Sequence, residues 1–236
     1  MNIQKSKRLI IKISGEFLAG KKGFGFDQTI LDQLADDIIE IKNEGYFLGL
    51  VLGGGNFFRG CDLKDIDRVA ADNIGMLATI QNALMMSEVL KRKDCPIDIF
   101  SAFPVNKIAK YFTYETAKSS LNKGKICFLC GGTGNPFFTT DTTAILRAIE
   151  LDCDIVLKGT LVDGIYTADP KKDKNAKFIK QITFTEVLEK QLHVMDMTAF
   201  SLARDYNIPI KVFNISVKGN LKNAVLSKDI GTYVFK

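Results

Sequence analysis

Two lysines stand in stretches that otherwise read as buried strands. Lys12 follows Leu9-Ile10-Ile11 and precedes Ile13-Ser14-Gly15, and Lys158 follows Ile155-Val156-Leu157 and precedes Gly159-Thr160. Each cation therefore closes an apolar run just before a glycine. Such a lysine is either a snorkelling edge residue or a cation placed at a strand's C-terminal end, and the turn directly after it favours the second. Two glycine-rich stretches open from apolar runs in the same way. Gly53-Gly54-Gly55-Asn56-Phe57-Phe58-Arg59-Gly60 adds an arginine able to grip phosphate oxygens in a fork. Gly131-Gly132-Thr133-Gly134-Asn135-Pro136-Phe137-Phe138-Thr139-Thr140-Asp141 lies between an apolar run and a helix-like run, with Thr140 or Asp141 expected as N-cap. A helix N-terminus offers unpaired N–H groups and a positive dipole end, both of which favour an anion. A simple strand-to-helix turn needs one glycine or two; three glycines, a proline, two aromatics and the polar Thr133, Asn135, Thr139 and Thr140 indicate a ligand loop.

The common nucleotide signatures are absent. No Gly-x-x-x-x-Gly-Lys-Ser/Thr occurs, and Phe137 takes the place of the third glycine of a dinucleotide fingerprint. Glycines and cations at strand ends, with few bases and no evident nucleophile, suit phosphoryl transfer, in which positioning and charge neutralisation supply most of the catalysis. His193 is the only histidine, so a His-based triad or a His-rich metal site is a poor starting point. Cys61, Cys95, Cys127, Cys130 and Cys153 are odd in number and scattered, as in a reducing compartment. Cys127-x-x-Cys130 falls in a predicted strand, where residues three apart point to opposite faces and cannot share a metal ion.

The elements that must position these groups alternate regularly. Strands are expected at residues 8–14, 46–52, 97–103, 125–130, 154–158, 208–213 and 232–235. Helices are expected after Asp27, over 67–90 with a kink near Gly75, over 114–121, 142–151 and 197–206, around 185–188, and over 220–227. Residues 20–25 read as a flexible loop and 163–170 as turn chemistry. The pattern predicts an α/β fold, a three-layer sandwich with a mainly parallel central sheet and ligands beyond the strands' C-terminal ends. With 236 residues, 46% hydrophobic, the chain can bury an ample core. The net charge of +5 is compatible with anionic small molecules. Lys21-Lys22, Lys91-Arg92-Lys93 and Lys171-Lys172-Asp173-Lys174 read as solvated surface. No apolar stretch approaches the roughly 20 residues that span a bilayer, and no signal-peptide core is present, so a cytoplasmic protein is expected.

Lys12-Ile13-Ser14-Gly15-Glu16, the 53–60 loop, Asp72-x-x-Gly75-Met76-Leu77-Ala78-Thr79, the 132–141 run and Lys158-Gly159-Thr160-x-Val162-Asp163-Gly164-x-Tyr166-x-x-Asp169-Pro170 together resemble the bacterial UMP kinases of the amino acid kinase superfamily. The resemblance covers essentially the whole chain. It implies one amino acid kinase-like domain over 1–236, with a nucleoside monophosphate-binding N-terminal portion and an ATP-binding C-terminal portion. It implies transfer of the γ-phosphoryl group of ATP to UMP, with Mg²⁺ on the ATP phosphates and no metal held by the protein itself. Lys12 and Lys158 would neutralise charge on the phosphoryl group, held in place by Asp141. ATP would meet Lys12, Ile13, Ser14, Gly15, Gly55, Arg59, Thr160, Tyr166 and Asp169. UMP would meet Gly54, Asp72, Thr133, Gly134, Asn135, Pro136, Phe137, Phe138, Thr139 and Thr140. Family members are homohexamers, which makes that the expected assembly, with no membrane partner and no required nucleic acid. Two other readings stand beside this one: a non-catalytic pyrimidine-nucleotide sensor, disfavoured because a sensor needs no paired lysines, and an amino acid (carboxylate) kinase of the same superfamily, disfavoured by the 133–140 loop.

Overall fold

The structure, a computed structural model, describes residues 8–58, 66–170, 172–192, 194–226 and 229–236. Its strands are β1 (Arg8–Ile13), β2 (Phe47–Leu52), β3 (Ile97–Ser101), β4 (Lys110–Tyr111), β5 (Ile126–Cys130), β6 (Ile155–Thr160), β7 (Ile165–Tyr166), β8 (Phe178–Ile179), β9 (Gln181–Thr183), β10 (Ile210–Asn214) and β11 (Thr232–Phe235). The helices are α1 (Gly15–Ala19), α2 (Gln28–Asn43), α3 (Arg68–Lys91), α4 (Tyr114–Asn122), α5 (Thr140–Glu150), α6 (Phe184–Glu189), α7 (Met197–Asp205) and α8 (Asn220–Leu226). One sheet runs β4-β3-β5-β2-β1-β6-β10-β11-β9, and β7 with β8 forms a separate antiparallel ribbon. Every neighbouring pair of the large sheet is parallel except β10 with β11.

Central parallel strands are covered on both faces, and so Leu9, Ile10 and Ile11 of β1 are all fully buried. Alternation then splits them between two cores. Leu9, Ile11 and Ile13 pack with Leu34 and Ile38 of α2, Ile80 and Met86 of α3 and Val225 of α8. Ile10, with Val156 of β6 and Leu129 of β5, packs with Ile145 of α5, Val187 of α6 and Phe200 of α7. Because side chains repeat every two residues, Lys12 must share the face of Ile10, beneath α5. Lys158 shares the face of Val156, and the β1–β6 register sets Lys12 directly opposite Lys158. Cys127 and Cys130 lie in opposite cores, so they do not form a chelating pair. Burial pushes their thiols up to about 11 and about 12.

From β1 the chain moves to β2 on one side and later returns as β6 on the other. That reversal leaves a crevice at the C-terminal end of β1, where open α/β sheets bind ligands. The helices that reach the crevice start where their caps dictate. Asp67 accepts from the N–H groups of Val69 and Ala70 to begin α3. Thr139 accepts from Asp141 and Thr142 to begin α5. The expected cap at Thr140 or Asp141 is thus corrected by one or two residues, because Thr139 is extended and Thr140 is already helical. The correction matters, since it releases the Asp141 carboxylate from capping. Other differences concern short elements. Residues 15–19 form α1, where a break was expected, and β4, β7, β8 and β9 are too short to leave a periodic signature. Helix α3 continues through Gly75 as one element.

Candidate active site

Asp141 sits in the first turn of α5, almost fully buried, directly over the two strand-end lysines. The Lys12 ammonium lies 2.8 Å from Oδ1, and the Lys158 ammonium donates to Oδ2 at 2.5 Å. Burial alone would raise the Asp141 pKa, but the two cations outweigh it and hold the carboxyl below the usual range. Lys158 is shifted down from the ordinary lysine value, mainly by desolvation and against the pull of Asp141. It also donates to the carbonyl of Val194. The Lys12 ammonium and Asp141 Oδ1 form a close, buried ion pair. Lys158 is thus anchored twice, on Asp141 and on the Val194 carbonyl, whereas Lys12 meets Asp141 in an ion pair.

The two glycine-rich loops flank this triad. Loop 53–56 follows β2, and its Gly53 N–H donates to the Ile13 carbonyl at 2.8 Å, tying it to the end of β1. A Cβ on Gly15 would lie 2.5 Å from Gly53 O and 2.6 Å from Gly55 N, so the first turn of α1 can nest against this loop only as glycine. Gly54 is under the same constraint from α3, where a Cβ would come 2.8 Å from the Gly75 carbonyl. In loop 131–139 the Gly131 N–H donates to Thr79 Oγ1 of α3 at 2.9 Å. Phe137 adopts a φ of 72°, and its N–H donates to Asp72 Oδ2 at 2.7 Å. The same carboxylate oxygen accepts from Arg68 Nε at 2.9 Å, and the Arg68 guanidinium lies 5.8 Å from the Phe137 ring centroid.

These contacts bring some of the sequence-predicted residues together and separate others. Gly54, Gly55, Asp72, Phe138, Thr139 and Thr140 line one cavity of about 150 Å³ between the loops, joined there by Met76 and Gly132. Thr160, Tyr166 and Asp169 line a second cavity of about 540 Å³, beyond β6, with Lys172, Lys190 and Gln191. Thr133 instead faces a third space with Phe112 and Arg147. Gly134, Asn135 and Pro136 form the turn behind the loop, in which Thr133 Oγ1 accepts from the Asn135 N–H. Ile13 buries its side chain in the core on the far face, which leaves only its backbone for a ligand. Arg59 lies outside the described residues, as do Cys61 and His193.

Several residues at the site were not legible beforehand. Asp196 caps α7 through the Ala199 N–H at 2.9 Å, and it also accepts from the Thr139 and Thr142 hydroxyls of α5. A carboxylate immediately before a helical run is a capping signal, which could have marked Asp196 as a cap but not its contact with α5. Asn56 and Asn82 pair their side-chain amides in full burial, and Asn82 donates to the Gly53 carbonyl at 2.6 Å. Only an amide in the buried stripe of α3 could have hinted at that contact.

Residues 7–214 match the amino acid kinase family. The uridylate kinase of Escherichia coli strain K12 is 46% identical over 97% of this chain and 95% of its own length, and that of Shigella flexneri is equally similar. Among solved structures, the UMP kinase from Bacillus anthracis aligns with a TM-score of 0.94 and 39% identity, covering 98% of this chain and 96% of that one. The UMP kinase from Ureaplasma parvum aligns at 0.91 with 36% identity, covering 98% and 99%.

Proposed function

The chain belongs to the amino acid kinase family, in its uridylate kinase branch, and from that premise we propose that it transfers the γ-phosphoryl group of ATP to UMP, giving ADP and UDP. The observation that carries this reading is the pairing of Lys12 and Lys158 on one buried carboxylate between two glycine-rich loops. In the reaction a P–O bond to ADP breaks and a P–O bond to a UMP phosphate oxygen forms. That oxygen is already ionised at neutral pH, so no general base is required. An Asp141 held in its charged form by two cations suits a positioning role and not proton abstraction. Charge on the phosphoryl group in flight is the remaining problem, and two preorganised ammonium groups answer it.

UMP would occupy the cavity between the loops, with its phosphate toward Gly54 and loop 131–140 and its sugar toward Asp72. ATP would lie with its phosphates near Lys12, Ser14, Gly15, Gly55 and the Ile13 backbone, and with its nucleoside in the cavity of Thr160, Tyr166 and Asp169. Arg59 is assigned to the space between the phosphate chains on sequence alone. Asp141 is paired with both lysines, and in this reading Mg²⁺ is carried on the ATP phosphates, where it would neutralise charge. In this reading the chain is a single domain with its acceptor site in the N-terminal portion and its donor site in the C-terminal portion. It assembles as a homohexamer and serves pyrimidine nucleotide synthesis in the cytoplasm. No helix among the described residues is long and apolar enough to cross a membrane. The deciding experiment is a coupled assay of ADP release against a panel of nucleoside monophosphates and acidic amino acids. Selective turnover of UMP is expected; equal turnover of CMP, or turnover of glutamate or aspartate derivatives in its place, would overturn the assignment.

A further inference from the structure

Asn82 lies in the middle of α3, 0% exposed, and is not needed to fill the core, since an apolar side chain would do that without demanding partners. Each polar atom of its side chain is nevertheless engaged. Its Nδ2 donates to the Gly53 carbonyl at 2.6 Å and to Asn56 Oδ1 at 2.7 Å, and its Oδ1 accepts from Asn56 Nδ2 at 2.9 Å. Asn56 in turn donates to the Gly25 carbonyl at 2.9 Å, while the Gly25 N–H donates back to the Asn56 carbonyl at 3.0 Å. One turn earlier on the same helix, Thr79 holds the Gly131 N–H of the other loop. A single helix thus grips both glycine-rich loops through buried polar side chains three residues apart, which places them on one face.

We infer that Asn82 is a positioning residue for the reaction, acting through the peptide unit between Gly53 and Gly54. A peptide's C=O and N–H point in opposite directions when it is trans, and the described backbone contains no cis bond. Fixing the Gly53 carbonyl on Asn82 therefore turns the Gly54 N–H away from Asn82, and Gly54 itself lines the cavity with Gly75 and Asp72. The Gly54 N–H meets no acceptor among the described residues. The Gly53 N–H is committed to Ile13 and the Gly54 carbonyl accepts from Phe57 at 3.0 Å, so the flanking peptides are held and the orientation of the peptide between them is left to Asn82. The result is a backbone donor aimed at an oxyanion before any ligand arrives. Without Asn82 the glycine peptide is free to flip, because glycine tolerates both orientations at little cost, and a carbonyl oxygen would then face the phosphate.

This inference rests on the proposed phosphoryl-transfer reading, and the test separates the two. Asn82→Asp keeps the shape but sets a carboxylate oxygen against the Gly53 carbonyl, which repels it. Losing one preorganised backbone donor costs on the order of 10² in turnover. Asn82→Asp is expected to lose about that factor in kcat while the KM for ATP changes by less than about threefold. Glycine-labelled protein is titrated with UMP and, separately, with inorganic pyrophosphate, following the Gly54 amide resonance. The wild-type amide should shift with either ligand and the Asn82→Asp amide with neither. Asn56→Ala, which leaves the contact of Asn82 with Gly53 in place, should lose less turnover than Asn82→Asp; it supplies the comparison if Asn82→Asp fails to fold. A wild-type enzyme inactive on UMP whose Gly54 amide still responds to pyrophosphate would sink the UMP reading alone. A Gly54 amide that ignores both ligands in the wild type, an unchanged response in Asn82→Asp, or turnover lost only in proportion to the unfolded fraction would overturn the role given to Asn82.

Discussion

Lys12 and Lys158 flank the same carboxylate, yet their surroundings lead to different expectations on substitution. Lys12 meets Asp141 in an ion pair, and Lys12→Ala leaves that carboxylate paired with Lys158, so the fold should be preserved. Turnover should fall by about 10²–10³, with nucleotide affinity much less affected, as expected for a group needed chiefly in the transition state. Near-normal kcat in a folded Lys12→Ala would remove it from the mechanism. Lys158→Ala likewise leaves Asp141 paired with Lys12 but strips the Val194 carbonyl of its lysine donor, so it should also unfold at lower temperature, with a loss of about 1–3 kcal/mol in stability. Asp72 carries a second prediction. Its Oδ2 is occupied by Arg68 and Phe137, its Oδ1 accepts no hydrogen bond from the described residues, and the residue lines the cavity. A ribose hydroxyl bonded there contributes about 1.5–3 kcal/mol, so dUMP should lose roughly ten- to a hundred-fold in kcat/KM relative to UMP. Asp72→Ala should flatten that preference; an unchanged UMP/dUMP ratio would reduce Asp72 to a latch on Phe137. Lys12 and Lys158 were legible in the sequence because a charge closing an apolar run is locally anomalous. Asn82 and Asp196 were not, because their meaning depends on loops far away in the chain.

At the scale of elements, capping and burial separate what was readable from what was not. Helix starts at Asp27 and Asp67 follow directly from an acceptor before a periodic apolar run, and both side chains accept two backbone N–H groups. The start of α5 was displaced because Thr139, Thr140 and Asp141 are all competent caps, and only the tertiary demand of Lys12 and Lys158 assigns Asp141 to the first turn. Thr139→Ala should cost about 1 kcal/mol as a lost cap and should also remove one of the two α5 hydroxyls bonded to Asp196, leaving that of Thr142. Hydrogen exchange should therefore rise at the starts of α5 and α7 together, whereas a rise at α5 alone would make Thr139 a simple cap. Lys211 of β10 is a different case, a buried lysine that donates to the Ala224 carbonyl near the end of α8 at 2.9 Å. Burial, opposed by Asp229, lowers its pKa from 10.5 to about 8. The folded chain then binds fewer protons than the unfolded chain between these values, so this group makes stability rise with pH across about pH 8 to 10.5. A shift of that size corresponds to at most about 3 kcal/mol. Denaturant titrations should show that slope in the wild type, with a smaller slope in Lys211→Met. Parallel slopes would mean that Lys211 titrates as an ordinary lysine.

Across the whole molecule, the alternation of strands and helices made the parallel sheet legible, but not the order of its strands. Strand order depends on which crossovers reverse, and the reversal that sets β6 beside β1 brings Lys158 to Lys12 from more than half the chain away. Strand β11 returns antiparallel to β10 only after α8, and β7 and β8 are two residues each, so neither pairing leaves a periodic signature. The largest feature that one chain does not explain is α3. Met76, Ile80, Ala83, Met86 and Leu90 face the core, yet Val69, Ile74, Leu77 and Leu84 of the same helix are exposed to between 38% and 50%. A helix that is apolar on more than one side belongs inside a larger body, and the proposed homohexamer supplies one. Six chains of 26.2 kDa would give a particle of about 157 kDa by light scattering at micromolar concentration. Leu77 is the most exposed of the four, so Leu77→Asp should shift the mass toward smaller species without lowering the helix content of the chain. The same helix carries Thr79 and Asn82 on its buried side, so loss of assembly should also reduce turnover if subunit contacts steady α3 against the two loops. A wild-type mass near 26.2 kDa would exclude the hexamer. A Leu77→Asp variant that remains the size of the wild type would instead place the subunit contact on a face other than α3.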